Sequence, residues 1–421
     1  MKKMALLLLL FVSFGNISYS KESFDIQNAI NGLGVEGGTV EIPSGEFIIT
    51  EPIVITKPNV VIKGQGPGTV LVNASNTDSL FLVNGSESSK TEILSSIMSE
   101  PDVNFQNNPV LTAENVVGFS MNDHVKIIQE GTPVKTSYNY INKIVGNDIF
   151  LKENEIEQFV AEGSLSLVKV DLLRNVTIKD VKITSAEGKT GYGIKATHTN
   201  NFRVENVDFS KVGRNAIVIE DSLGAVITNN TFFENGRPGL GDNAIHSIKN
   251  FNIVISYNQL TRSGSIHTNN NMFSSVDHNK INGTQLTNGD GIYVIGGIGN
   301  RYEYNTVLRA NCYGIWLRDG AERNIIANNQ FIAAITSGIH LTDSSNNIIK
   351  DNVSQNNAGN GIFLTFGSKS NIVENNLTTE NYGRGILVHD TGNLIKNNVS
   401  RSNQLHNYFI EPGNTLKENE Q

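Results

Sequence analysis

Side chains able to transfer protons or neutralise a carboxylate recur at one position of a repeated segment. This position directly follows an isoleucine, and the residues found there include Lys195, His246, His267, Tyr293, Trp316 and His340. Arg318 stands two residues after Trp316. A histidine or tyrosine next to a fixed cation is suited to removing a proton from a carbon beside a carboxylate. The pattern therefore predicts an acid–base site for an anionic ligand.

We assign a role to each of these residues as a prediction. His246 or His267 is predicted to be the base, and Tyr293 the acid or second base. Lys195 and Arg318 are predicted to neutralise the carboxylate of the substrate. Five further residues are predicted to bind the substrate: Trp316, Asp290, Glu220, His340 and Arg237. The sequence does not identify a metal ligand.

The elements that must position these residues are short strands repeated along the second half of the chain. Their apolar markers are Ile194, Ile217, Ile245, Ile266, Ile292, Ile315, Ile339, Ile362, Ile386 and Tyr408, at intervals of 21 to 28 residues. Alternate side chains of a strand face opposite ways, so a buried isoleucine directs the next residue outward. Successive coils about 4.8 Å apart then bring the outward residues side by side. Glu220 and Arg318 fall in a second outward column.

Asparagine is unusually frequent and supports the same repeat. The chain of 421 residues contains 57 asparagines. One of them recurs in register in each coil: Asn230, Asn258, Asn279, Asn305, Asn329, Asn352, Asn376, Asn398 and Asn419. Asparagine tolerates the left-handed backbone of a tight corner, and stacked amides can hydrogen-bond from coil to coil. We therefore predict an internal asparagine ladder.

Composition and the N-terminus exclude several classes of protein. A single cysteine excludes a disulfide framework or a cysteine-based zinc site. Residues 1–20 have two lysines, an apolar run and small residues at the end, which predict a signal peptide and export to the periplasm or beyond the cell. The apolar run is too short to span a bilayer, so no membrane anchor is expected. Without those lysines, 31 basic and 41 acidic residues remain, which argues against a nucleic-acid partner.

The repeats and the N-terminal segment together resemble a known family. An amphipathic helix predicted over residues 24–33 is followed by GGTVEIPSGEF at 37–47 and VVIKGQG at 60–66. This arrangement resembles the right-handed parallel β-helices of the pectin-lyase-like superfamily. The resemblance implies an all-β solenoid of coils of about 22–28 residues with a short N-terminal capping helix. We predict one β-helix domain over residues 21–421, with a cap at 21–50, a small β insertion at about 115–170 and regular coils at 171–421.

The resemblance also implies a class of chemistry. Members of this superfamily include polysaccharide lyases, C5-epimerases, glycoside hydrolases and some non-enzymatic periplasmic proteins. With the outward residues above, it favours a lyase or C5-epimerase that removes the C5 proton of a uronic acid in an anionic polysaccharide. Residues 189–320 carry a net charge of +2, whereas the rest of the mature chain carries −12, which suits an anionic ligand there. The resemblance allows a calcium ion, and no other cofactor is predicted.

Two other classes stay open. A glycoside hydrolase needs two carboxylates across the sugar, and Asp290 with Asp319 or Glu220 with Asp242 are the candidate pairs. The other class is a non-catalytic polysaccharide-binding or periplasmic protein. Within this class, metal binding by His246, His267 and His340 is the less favoured alternative. The chain contains no Asp-Pro-His motif of alginate-type epimerases. The sequence leaves the identity of the polymer and the oligomeric state open.

Overall fold

The protein is a parallel β-solenoid in which each coil contributes one strand to each of three sheets. The computed structural model describes residues 24–98, 109–129, 135–152, 165–237, 240–284 and 289–420. The predicted signal peptide at 1–20 lies outside the described residues. Within the described residues, no helix is both long enough and apolar enough to cross a membrane.

Sheets A and B meet at the tight corner of each coil, and their strands pair in parallel throughout. The described strands of sheet A are Gly38–Glu41, Val60–Lys63, Thr177–Lys179, Arg203–Glu205, Val226–Thr228, Val254–Ser256, Ser275–Asp277, Arg301–Glu303, Ile325–Ala327, Ile348–Lys350, Ile372–Glu374, Leu394–Lys396 and Thr415–Lys417. Those of sheet B are Gly45–Ile49, Thr69–Asn73, Lys182–Ser185, Asp208–Ser210, Thr231–Phe233, Gln259–Ser263, Lys280–Thr284, Thr306–Leu308, Gln330–Ile332, Val353–Gln355, Leu377–Thr379 and Val399–Arg401.

Sheet C contains the repeated isoleucines. Its described strands are Ile53–Ile55, Ser79–Asn84, Tyr192–Thr197, Ile217–Glu220, Ile245–Ile248, Ile266–Asn269, Ile292–Ile295, Ile315–Arg318, Ile339–Leu341, Ile362–Leu364, Ile386–Val388 and Tyr408–Ile410. The short strands Leu173–Arg174 and Thr199–Asn200 pair beside the turn that leads from sheet C to sheet A. The α-helix spans Ile26–Asn31, is capped by the side chain of Asp25, and buries Ile26 and Ile30 against the first coil. A 3-10 turn follows at Gly66–Gly68.

The core is a stack of aliphatic side chains inside the coils. Ile217, Ile245, Ile266 and Ile292 are fully buried and belong to one continuous hydrophobic cluster. Burying a side chain of this size contributes about 1.5–3 kcal/mol, so the repeated isoleucines supply much of the driving force for stacking the coils. The three parallel sheets agree with the predicted all-β solenoid.

The predicted asparagine ladder is confirmed at the corner between sheets A and B. The side chain of Asn305 donates to Asn329 at 3.1 Å, and that of Asn329 donates to Asn352 at 3.0 Å. The same bond links each pair of neighbours from Asn230 to Asn419. The left-handed residue of the corner, however, is the one before the ladder asparagine, such as Tyr304 at φ 55°. The ladder asparagines therefore satisfy buried polar groups, and their neighbours make the turn.

A closed antiparallel barrel is inserted after the second strand of sheet C. Its strands are Ser86–Met98, Pro109–Ala113, His124–Gln129, Lys135–Val145, Asp148–Leu151 and Leu165–Asp171. The insertion thus occupies residues 86–171, whereas the sequence predicted about 115–170. The first barrel strand escaped prediction because its opening residues, SESSKTE, lack the apolar alternation that identifies a strand.

The barrel packs against the turns that connect sheet C to sheet A. Phe251, Met272 and Ile298 from these turns share a second hydrophobic cluster with barrel residues such as Leu111 and Val125. The turn residues are linked by a ladder of single parallel bridges that runs along the solenoid axis. The barrel is therefore fixed against the turns that follow the strands of sheet C.

Candidate active site on the outer face of sheet C

The pairing register of sheet C places the predicted column in one line. His246 pairs with His267, and His267 pairs with Tyr293. Tyr293 pairs with Trp316, and Trp316 pairs with His340. The isoleucine before each of them belongs to the buried core, so these side chains lie on the outer face. The prediction that they form one outward column is confirmed.

These side chains stack ring on ring. The ring centroids are 4.3 Å apart for His246 and His267 and 4.6 Å apart for His267 and Tyr293. The next separations are 5.3 Å between Tyr293 and Trp316 and 5.7 Å between Trp316 and His340. We call this set the aromatic column; its members are His246, His267, Tyr293, Trp316, His340 and Phe363. The coil spacing of about 4.8 Å is close to the stacking distance of rings, which explains why the column is continuous.

Tyr313, which was not among the predicted site residues, joins the column from the preceding loop. Its ring centroid lies 4.5 Å from that of His340 and 5.1 Å from that of Trp316. It stands two residues before the buried Ile315, a position that no strand periodicity covers. His340 itself is buried, and its Nε2 is within hydrogen-bond distance of the hydroxyls of Thr342 and Thr365.

Stacking removes the column histidines from water and changes their acidity. Burial lowers the pKa of His246 to about 4 and that of His340 to about 4. Burial, with a smaller effect from His246, lowers the pKa of His267 to about 3. The Nε2 atoms of His246 and His267 have no hydrogen-bond partner among the described residues. In the free protein at neutral pH these imidazoles are therefore neutral and weaker bases than an exposed histidine.

We expect the stability of the protein to fall as the pH drops from about 6.5 to about 4. The unfolded chain takes up protons on these histidines near their ordinary pKa, but the folded chain resists protonation until lower pH. Stability is therefore fully present above pH 6.5 and is lost through this window. His267→Phe keeps a stacked ring without a titrating group, so its urea midpoint should depend less on pH. His406→Phe, at an exposed position, is the control. Identical pH profiles for wild type and His267→Phe would contradict this expectation.

Tyr293 and Arg318 are brought together on neighbouring strands. The Arg318 guanidinium donates a long hydrogen bond of 3.5 Å to the Tyr293 hydroxyl and lies 4.8 Å from the Trp316 ring centroid. Arg318 is also paired with Asp319 at 2.9 Å. Burial raises the pKa of Tyr293, and the nearby Arg318 charge partly opposes this. The result is a protonated, half-buried hydroxyl next to a fixed cation.

Asp290 lies just before the strand that carries Tyr293. Its carboxylate accepts a hydrogen bond of 3.0 Å from the backbone N–H of Tyr313. Burial raises the pKa of Asp290 to about 7, so the carboxyl group is partly protonated at neutral pH. Asp290 is only 6% exposed, which leaves little surface for the substrate contact that the sequence predicts. In the segments on either side of this part of sheet C, residues 238–239 and 285–288 lie outside the described residues.

Lys195 and Glu220 line a cavity at the N-terminal end of the aromatic column. The cavity has a volume of about 390 Å³ and is also lined by His246 and Tyr192. Lys195 is exposed and forms no ion pair with any residue that the structure describes. It lies two strands from His246 in the pairing register. Lys195 is thus available to an anionic ligand at this end of the face.

Arg237 is not available in the same way. Its guanidinium forms two hydrogen bonds to Asp242, at 2.7 and 3.2 Å, and the Asp242 carboxylate raises the pKa of Arg237. Asp319 is likewise paired with Arg318. Each of the two carboxylate pairs considered for a hydrolase therefore includes a member already held by an arginine.

The structure does not favour a metal on the aromatic column. His246 and His267 stack within 10° of parallel, and the Tyr293 and Trp316 rings stand between them and His340. Three rings separated in this way do not converge on one ion.

Another group of potential ligands lies where the barrel meets the solenoid. Among the described residues, only Glu87, His198 and Asp221 bring three potential metal-ligand atoms within 4.8 Å of one another. The Lys126 ammonium is 2.7 Å from Glu87 and 3.0 Å from Asp221, so a lysine cation already neutralises them. The donor set with its lysine does not fit calcium, which needs six to eight oxygen ligands.

The fold and the outer face define a class, a β-helix protein with an aromatic and cationic surface along one sheet. The model of the right-handed β-helix region matches residues 127–281 and 265–405. The chain belongs to the right-handed β-helix family, and its fold is that of the pectin-lyase-like superfamily. Comparison with curated proteins gives no match.

Three solved structures illustrate the likeness in fold. The A-module of the Azotobacter vinelandii mannuronan C-5 epimerase AlgE4 is 12% identical, with 94% of this chain and 90% of that one covered and a TM-score of 0.51. The Gp54 tailspike of Acinetobacter baumannii bacteriophage AP22, solved with capsular saccharide, is 12% identical. The match covers 89% of this chain and 72% of that one, with a TM-score of 0.51. The catalytic domain of a GH87 α-1,3-glucanase, solved with nigerose, is 14% identical. The match covers 90% of this chain and 63% of that one, with a TM-score of 0.54. At these identities the likeness shows the fold alone.

Proposed function

We propose that this chain is a periplasmic or extracellular polysaccharide lyase or C5-epimerase that acts on a polymer containing uronic acid. The observation that carries the proposal is the Tyr293 hydroxyl, 3.5 Å from the Arg318 guanidinium on the half-buried outer face of sheet C. A proton-transferring hydroxyl next to a carboxylate-binding cation is the minimum that C5 chemistry requires. His267 stacks on the other side of Tyr293 and supplies the nearest base.

We assign one role in this reaction to each of three residues. Arg318 pairs with the uronate carboxylate and stabilises the negative charge that develops when C5 loses its proton. The C5–H bond breaks, the proton passes to His267, and the electron pair enters the enolate of the carboxylate. In elimination, the C4–O4 bond then breaks, a C4–C5 double bond forms, and Tyr293 donates its proton to O4. In epimerisation, Tyr293 donates its proton to C5 on the opposite face.

The low pKa of His267 in the free protein fits this role once substrate is bound. A carboxylate placed next to the ring favours the imidazolium form and raises the pKa. His246 is less buried than His267 and lies one strand further away, so it is the alternative base. Lys195, at the end of the column, neutralises a carboxylate of a neighbouring sugar.

Trp316 and the rings beside it supply a surface for the polymer. Aromatic side chains offer large amphipathic contact areas, and the column extends over six coils from His246 to Phe363. A mannuronan C-5 epimerase, a glucanase bound to nigerose and a tailspike bound to a capsular saccharide share the fold, which supports a saccharide as ligand.

A screen of uronate polymers tests the proposal. The purified protein is incubated with polymannuronate, polyguluronate and polygalacturonate in deuterated water, and the ultraviolet absorbance of unsaturated uronate is followed together with deuterium at C5. Rising absorbance identifies a lyase, and deuterium at C5 without absorbance identifies an epimerase. Binding without either signal contradicts the proposal; release of reducing ends then identifies a hydrolase, and its absence identifies a non-catalytic polysaccharide-binding protein.

Hydrolysis is the second candidate, and Asp290 is the observation that favours it. A carboxyl group with a pKa of about 7 can act as a general acid at neutral pH. Asp290→Asn keeps an acceptor for the Tyr313 N–H but removes the acid. If C5 chemistry is correct, this variant should retain turnover within about threefold of wild type, whereas a hydrolase should lose about 100-fold or more. The measurement is the initial rate on the polymer that the screen identifies, with reducing ends counted beside absorbance.

A further inference from the structure

A cleft separates the barrel from the first coils of the solenoid. Its volume is about 700 Å³, within the range of ligand sites in proteins. Residues that line it from the two sides include Thr56, Asn84, Asp123, His124, Lys169 and Arg174. A smaller cavity of about 300 Å³ also touches His124 and continues along the same junction to Phe251 and Asn252. No member of the aromatic column lines either cavity.

His124 lies between these two cavities and is unusual in its bonding. It is 6% exposed, and its Nδ1 is buried without a hydrogen-bond partner among the described residues. Its ring packs against Tyr140 with 3.8 Å between the centroids. Burial, and then the charge of Arg174, lowers the pKa of His124 to about 4. The two rings are tilted by 57° to each other, and only His124 lines the larger cleft, so the neutral His124 ring forms part of the wall of that cleft.

Cationic groups surround this pair. Arg174 is exposed at the mouth of the cleft and forms no ion pair with any described residue. Lys152 donates to Asn122 at 2.9 Å and lies 5.6 Å from the Tyr140 ring centroid. Lys169 also lines the cleft, but its charge is matched by Asp123 at 3.0 Å. An unpaired guanidinium that lines a cleft can bind a carboxylate through paired hydrogen bonds.

We propose that the cleft between barrel and solenoid is a second binding site for an acidic saccharide, in which Arg174 binds a carboxylate and the His124 ring forms part of the wall. Its location is argued from the cleft alone, and only the choice of a saccharide as ligand rests on the proposed function. The site holds the polymer without transforming it, since it shares no residue with the Tyr293–Arg318 centre. The barrel then serves to retain the polymer beside sheet C.

Calorimetry with the full chain tests this site. The Tyr293→Phe variant, which does not consume the ligand under the proposed function, is titrated with oligomannuronate, oligogalacturonate and a neutral cello-oligosaccharide. Adding Arg174→Ala should weaken the binding of the acidic oligosaccharide at one site by about tenfold or more and leave the melting temperature unchanged. Arg401→Ala, at an exposed arginine on a distant coil, is the matched control. His124→Ala should weaken the same site, and its melting temperature reports whether the junction stays folded.

The outcomes separate the two proposals. Binding that weakens with Arg174→Ala but not with Arg401→Ala supports the second site, whether or not the wild type turns the polymer over. Equal affinities for the two arginine variants overturn the second site, even if the wild type is an active lyase or epimerase. Equal binding of acidic and neutral oligosaccharides at this cleft also overturns it, because the carboxylate is then not recognised.

Discussion

Replacing Tyr293 by phenylalanine should reduce turnover of the uronate polymer by about 100-fold or more, because a positioned proton donor contributes 10²–10⁴-fold to such reactions. The substitution removes the hydroxyl that lies 3.5 Å from Arg318 but keeps the ring between those of His267 and Trp316. Polymer binding and melting temperature should therefore stay close to the wild-type values. The loss should appear in kcat, since the proton is transferred in the transition state.

Tyr257→Phe is the matched control for this experiment. Tyr257 is 55% exposed at a corner of the solenoid, where its ring stacks on that of His278. Its hydroxyl has no place in the proposed reaction, so turnover should be unchanged. A Tyr293→Phe protein with more than half of the wild-type kcat would remove Tyr293 from the proposed chemistry.

Replacing Asn329 by alanine should lower the free energy of unfolding by about 4 kcal/mol, because several buried polar groups lose their partners together. The side-chain oxygen of Asn329, Oδ1, accepts hydrogen bonds from the backbone N–H and the side-chain amide of Asn305, at 2.8 and 3.1 Å. Its amide donates to the Tyr302 carbonyl at 2.7 Å and to Asn352 at 3.0 Å. Each of these groups is buried. Water can therefore replace the lost hydrogen bonds only if the corner opens.

Urea unfolding measures this loss, and the adjacent Gln330 supplies the control. Gln330 is exposed at the same corner, so Gln330→Ala should change the free energy of unfolding by less than about 0.5 kcal/mol. Asn329→Asp keeps the acceptor but sets a carboxylate oxygen against the Tyr302 and Asn352 carbonyl oxygens in a buried corner, so its loss should be at least as large as that of Asn329→Ala. Similar midpoints for Asn329→Ala and Gln330→Ala would show that the ladder contributes little to stability.

The sequence predicts the solenoid well because its physical signals repeat. Each coil must bury an isoleucine such as Ile266 at the same point, so the interval between isoleucines gives the register directly. The asparagines mark the corner in the same way, and the pairing of His267 with Tyr293 follows from counting. A one-dimensional repeat of this kind turns a sequence spacing into a spatial neighbourhood.

Properties that depend on packing between elements could not be predicted from the sequence repeat. The sequence gives no sign that His246 and His267 stack closely enough to lower their pKa values, because burial there comes from neighbouring coils. The raised pKa of Asp290 likewise depends on its burial, beside the Tyr313 backbone of the next coil. Lys126 and its partner Asp221 are far apart in sequence and meet only because the barrel docks on the solenoid.

Incorporation of deuterium at C5 of the polymer is the most direct test of proton transfer at the Tyr293–Arg318 pair. The wild-type protein is incubated with uronate polymer in deuterated water, and residual polymer and product are analysed by nuclear magnetic resonance beside the Tyr293→Phe variant. We expect the wild type to remove the C5 proton, which leaves deuterium at C5 or an unsaturated product, and the variant to give neither signal. Cleavage of the polymer with the C5 proton fully retained would contradict it and identify hydrolysis instead.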